Sequence, residues 1–137
     1  MTSALCETVL SVTAKLRTLP TLSRPQSEPR PAMREISPRD YAALSAAGAS
    51  PFLLDVREGW EVAIVAAPGA THIPMGEIPG RLAEIPTDRE IVVLCKVGGR
   101  SLQVALFLEA RGYHPVANLT GGILAWAAQV DPALATY

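Results

Sequence analysis

Four consecutive apolar residues, Ile91-Val92-Val93-Leu94, run directly into Cys95-Lys96-Val97-Gly98-Gly99-Arg100-Ser101. A strand with one face in water alternates apolar and polar side chains. This run does not alternate, so it predicts a strand buried on both sides, as in a parallel sheet with helices over each face. Two glycines and an amphipathic stretch over 101–111 complete a unit of strand, tight loop and helix. Such a unit aims backbone N–H groups and the positive helix end at the residue that closes the strand. That residue is a cysteine, and the pattern points to chemistry on an anionic sulfur.

The flanking sequence has the same rhythm. A short strand is expected over 34–36. Ser37-Pro38 then reads as N-cap and first helical residue of a helix that Gly48 stops near Ala47. An apolar strand over 51–56 ends in Asp55-Val56-Arg57, followed by a short helix over 58–65 with Glu58 at its start. A brief strand over 71–73, a helical segment over 76–85, a last strand over 116–119 and a last helix over 122–130 complete the series. Alternating strands and helices imply an α/β fold of three layers. Its central, mostly parallel five-stranded sheet carries helices on both faces. Ligands of such sheets bind beyond the carboxyl ends of the strands, where Cys95 sits at one end and Asp55 and Arg57 at another. Asp55 and Arg57 share a strand face by period 2 and are expected to form an ion pair under the loop.

Composition narrows the function. The chain has 137 residues, 49% of them hydrophobic, enough for a real core. Its net charge is −1, which favours neither nucleic acid nor a membrane surface as partner. No apolar stretch approaches the ~20 residues of a bilayer span. The two cysteines, Cys6 and Cys95, make no disulfide framework, and no Cys/His spacing suggests a metal site. A reducing cytoplasm is the expected home of a working thiol.

A single cysteine after a strand is usually a small buried hydrophobe. Three features point to a reactive one. Gly98 and Gly99 leave room for a close amide cradle, Arg100 brings a two-pronged anion binder, and Ser101 is placed to cap the departing helix. Lowering a free thiol's pKa by two units needs ~2.7 kcal/mol. A helix end supplies at most ~2 kcal/mol. The remainder falls to the loop amides and Arg100. Lys96 and Val97 complete the loop, with Lys96 expected at the pocket rim. His72 is expected to be structural, Trp60 and Trp126 to pack in the core or at the rim, and His114 to be exposed.

Cys95, Gly98 and Arg100 fit the pattern Cys-x-x-Gly-x-Arg, and with it the chain resembles the rhodanese-like family. Other stretches agree in order: Leu54-Asp55-Val56-Arg57-Glu58 with Trp60-Glu61, Pro68-Gly69-Ala70 with His72-Ile73-Pro74, and Leu119-Thr120-Gly121-Gly122 with Trp126. The resemblance covers residues 33–130 and is that of a single-domain member. It implies a sulfurtransferase. Cys95 would take sulfane sulfur from thiosulfate or a persulfide donor and pass it to a thiol or cyanide acceptor, without metal or cofactor. A protein-to-protein relay involving a sulfur-carrier protein is the alternative, and a non-catalytic binding domain a third class. Phosphatases and arsenate reductases of similar fold carry a Cys-x5-Arg loop, one residue longer, sized for a tetrahedral oxyanion. Ala66 stands where many members carry a histidine, a difference expected to affect local packing.

Residues 1–32 fall outside the resemblance. Leu5, Val9, Val12 and Leu16 have near-helical spacing, and Pro20, Pro25, Pro29 and Pro31 then make an extended linker. This segment is expected to be an extension that the domain over 33–137 does not need, with Cys6 incidental to the chemistry. A protein beginning at Met33 should therefore keep its melting temperature and its Cys95-dependent turnover; a large fall in either would place the extension in the working molecule.

Overall fold

The computed structural model describes residues 33–137. The expectations for the extension and for Cys6 lie outside the described residues. Strands β1 (Arg34–Ile36), β2 (Phe52–Asp55), β3 (Thr71–His72), β4 (Ile91–Leu94) and β5 (Val116–Leu119) form one sheet in the order β1-β5-β4-β2-β3. Every pairing is parallel, with Asp55 beside Leu94 and Val93 beside Asn118. Parallel neighbours need crossovers, which are helices α1 (Pro38–Ala46), α2 (Gly59–Ile64) and α3 (Gly99–Ala110); helix α4 (Gly122–Gln129) follows the last strand.

The apolar run of β4 explains the layering. Ile91, Val93 and Cys95 point to one face, among Val104, Ala105 and Leu108 of α3. Val92 and Leu94 point to the other, among Ile123 and Trp126 of α4. All five positions of 91–95 are buried, so each side chain of the central strand contributes about 1.5–3 kcal/mol of burial where it is large and apolar. Tyr41 of α1 packs on Trp126, ring centroids 5.4 Å apart, closing the second face.

Helix α1 starts as its sequence dictates, with the Ser37 hydroxyl accepting the Asp40 N–H at 3.0 Å and Pro38 at the first position. The segment expected to be helical over 76–85 is instead two 3₁₀ turns, Met75–Gly80 and Leu82–Glu84. Pro79 accounts for the difference: it has no N–H and its ring blocks continuation of an α-helical turn. Helix α3 begins at Gly99, two residues before its expected start, because Gly98 already takes the N-cap position with φ +111°. Among the described residues, no helix is long and apolar enough to cross a membrane.

The turn from β5 into α4 fixes the loop after β4. Ile123 N–H donates to the Cys95 carbonyl at 2.8 Å and Leu124 N–H to the Lys96 carbonyl at 3.2 Å. This approach requires glycine at 122: φ is +60°, and a Cβ there would collide with both carbonyls. Gly122→Ala should cost at least about 2 kcal/mol and lower the melting temperature by several degrees. An unchanged thermal midpoint would show that α4 does not hold the loop.

Candidate functional site

Cys95 lies at the end of the central strand with only 1% of its surface exposed. Among the described residues, two groups come within hydrogen-bonding distance of its sulfur: the Gly98 N–H at 3.0 Å and the Ser101 hydroxyl, whose oxygen lies at 3.4 Å. The geometry follows from the clamp above. With the Cys95 and Lys96 carbonyls turned toward α4, the peptides that follow turn their N–H groups inward, and Gly98 makes the left-handed bend that α3 needs. Burial pushes the Cys95 thiol up; the Ser101 hydroxyl and the amides of Ser101, Gly98 and Val97 more than offset it, and the thiol is lowered from its ordinary value.

The loop residues have separate places. Val97 stands 60% exposed at the rim. The Lys96 ammonium lies 4.5 Å from the centre of the Tyr137 ring and has no carboxylate partner among the described residues. Gly99 opens α3, and a Cβ there would meet open space, so of the two loop glycines it is Gly98, with φ +111°, whose backbone calls for glycine. Ser101 does not cap α3: it is fully buried in the first turn, and its hydroxyl faces the sulfur and Asn118. The expected open fork of Arg100 is filled from within the chain. Its Nη1 and Nη2 donate to Glu61 Oε2 and Oε1 at 2.7 and 2.9 Å. The two-pronged carboxylate recognition that suits arginine to anions has found a carboxylate on α2.

Asp55 and Arg57 form an ion pair, 2.6 Å at its shortest, with Arg57 entirely buried and a further bond from Nη2 to the Val65 carbonyl at 2.8 Å. His72 is structural, its Nε2 2.6 Å from the Arg57 carbonyl oxygen. Trp126 packs in the core, whereas Trp60 is 63% exposed and meets the Tyr137 ring edge-on at 6.0 Å.

Sequence reasoning missed two members of this assembly. Glu61 accepts the Glu58 N–H at 2.9 Å, capping α2, while it holds Arg100. Tyr137 donates its hydroxyl to Glu61 Oε1 at 2.7 Å and accepts from Arg57 Nη1 at 3.2 Å. Glu61 carried a signal in the Trp60-Glu61 pair after Arg57. Tyr137 carried none, standing beyond the last helix in a segment without pattern.

The match to the rhodanese-like domain model, over residues 37–129, covers more than half of the chain, and the chain belongs to the rhodanese-like domain family. It is 45% identical over 83 residues to a sulfurtransferase of Allochromatium vinosum, covering 61% of this chain and 78% of that protein. It is 42% identical over 89 residues to the chloroplastic rhodanese-like/PpiC domain-containing protein 12 of Arabidopsis thaliana, covering 62% of this chain but only 30% of that longer protein. The crystal structure of a rhodanese-like domain protein from Staphylococcus aureus superposes with a TM-score of 0.67 at 30% identity, covering 77% of this chain and 99% of that one. The family match and the sulfurtransferase relative support sulfur transfer as the general activity.

Glu61 offers a pH test. Arg100 beside it holds the carboxyl down at about 2, against the opposing effect of burial and with help from Glu58 N–H and Tyr137. A lowered folded-state pKa gives stability that is complete above the ordinary carboxylate range and fades as pH falls toward 2. Glu61→Gln should therefore cost about 2–4 kcal/mol at neutral pH, and its deficit against wild type should shrink to under about 1 kcal/mol near pH 2.5. A deficit independent of pH, read by denaturant melts at both values, would assign the loss to packing.

Proposed function

We propose that Cys95 is the nucleophile of sulfane-sulfur transfer. In the first half-reaction its thiolate attacks the outer sulfur of thiosulfate or a persulfide. A new S–S bond forms to Cys95, and the donor leaves as sulfite or as a thiolate with the electron pair of the broken bond. In the second, a thiolate or cyanide attacks the outer sulfur and Cys95 leaves as thiolate, ready for another cycle. The observation that carries this reading is the buried sulfur receiving an N–H at 3.0 Å inside a loop only four residues long between Cys95 and Arg100. Amides aimed at one point stabilise a sulfur anion as they would an oxyanion. A cradle of this length is sized for a sulfur atom, whereas phosphate or arsenate chemistry is expected of a loop one residue longer.

A protein donor or acceptor, such as a sulfur carrier, is the second reading. The rim favours it: Trp60 and Val97 are exposed apolar groups, Trp60 and Lys96 both meet the Tyr137 ring, and the Arg100 charge is matched by Glu61. Among the described residues, Lys96 is then the cation at the mouth left for small dianions. Lys96, Val97, Gly98, Gly99 and Arg100 form the donor-binding loop in this proposal. Asp55, Arg57 and Ser101 support it, and a reducing compartment such as the cytoplasm keeps the thiol available.

Intact-mass analysis after donor treatment should show one added sulfur atom, located on Cys95. Cys95→Ser should remove both loading and turnover, at least about 10³-fold, with the melting temperature retained. Turnover by the serine variant would overturn the nucleophile assignment. Cys95-dependent hydrolysis of an aryl phosphate by the wild type would replace sulfur transfer with phosphatase chemistry.

A further inference from the structure

Asn118 is a polar residue in the buried strand β5, and the chemistry above makes no use of it. Its amide orientation is settled by its neighbours. The Nδ2 group donates to Glu35 Oε1 at 3.1 Å and to the Gly98 carbonyl at 3.3 Å, and both partners are acceptors only. Oδ1 therefore faces Ser101, whose hydroxyl oxygen lies 2.5 Å away and must donate to it. The same hydroxyl is 3.4 Å from the Cys95 sulfur. A serine has one proton and two claimants for it here.

In the thiol form there is no competition: the S–H can donate to Ser101 Oγ while the Ser101 proton goes to Asn118. When the thiol proton leaves to solvent, the same oxygen turns a lone pair toward a sulfur anion. Ser101 can stabilise that anion only by rotating its proton away from Asn118, which strands Oδ1 in a buried strand. We propose that Asn118 is a positioning residue that holds the Ser101 proton off Cys95 in the resting thiol, making this hydroxyl a two-position switch on ionisation of the sulfur. The inference rests on the reading of Cys95 as the reacting thiol.

The other charges near the thiol are largely paired. Arg100 is engaged by Glu61 of α2, Arg57 by Asp55 of β2, and Lys96 lies over Tyr137 at the rim. Among the described residues, Glu35 of β1 reaches the site through Asn118 and Thr120. None of these groups touches the Ser101 hydroxyl, so changing its acceptor isolates the switch.

The test is the pH profile of Cys95 alkylation by iodoacetamide in the full chain, resolved by peptide mass spectrometry so that Cys6 does not contribute. Asn118→Leu frees the hydroxyl for the sulfur and should move the midpoint down by about one pH unit, the size of one charge-assisted hydrogen bond. Adding Ser101→Ala should abolish that fall. If Asn118 merely supports the loop, Asn118→Leu loosens the Gly98 contact and the midpoint rises; that result, or a fall that survives without Ser101, overturns the proposal. Should the leucine variant fail to fold, Asn118→Asp keeps the shape and holds the hydroxyl more tightly. The midpoint should then rise, and by less when Ser101 is alanine; equal rises overturn the switch. Alkylation needs no sulfur donor, so failure of Cys95 to load sulfur would sink the proposed function and leave this result to stand by itself.

Discussion

The site depends on two hydrogen bonds that do not touch the sulfur. Ile123 and Leu124, in the first turn of α4, donate their N–H groups to the carbonyls of Cys95 and Lys96. Those donors would otherwise be unsatisfied at a helix start, and those carbonyls would otherwise compete for the space around the thiol. One contact satisfies both needs and leaves the N–H side of the following peptides facing the sulfur. Two helix starts therefore cooperate: α4 turns the carbonyls out, and α3 brings amides in. The close approach is possible only because residue 122 has no side chain.

Around that loop the charges are matched in layers. Arg57 and Asp55 pair in full burial, Arg100 and Glu61 pair at the pocket wall, and the Tyr137 hydroxyl bridges Arg57 and Glu61. Each buried ion has a partner and further hydrogen bonds, the condition under which charges are tolerated in an interior. The consequence for chemistry is that Arg100 stiffens the loop through α2, while the amides and Ser101 make the direct contacts to the thiol. Shape and hydrogen bonding at the sulfur are thus separated from charge at the mouth, where Lys96 stands over Tyr137.

Two opposing effects meet at the Cys95 thiol. Burial disfavours the thiolate, and the converging donors favour it by more. In the switch proposed above, a neutral residue, Asn118, acts on the sulfur through one hydroxyl proton although it never contacts it.

Much of this was legible in the sequence. The unbroken apolar run of β4 dictated a strand buried on both faces, and with it a parallel sheet between helix layers, because side chains of successive strand residues must point to opposite sides. The cysteine, the glycine at 98 and the arginine marked the loop, and period 2 paired Asp55 with Arg57. Local rules of this kind act over a few residues and can be read along a chain. What Arg100 grips was decided by where α2 lies in space, 39 residues away in the chain, and no local pattern carries that distance. The same is true of Tyr137, of Asn118 and of the amides of Ile123 and Leu124. Sequence determined which groups could bond; the sheet order and the packing of α2 and α4 against it determined which of them met.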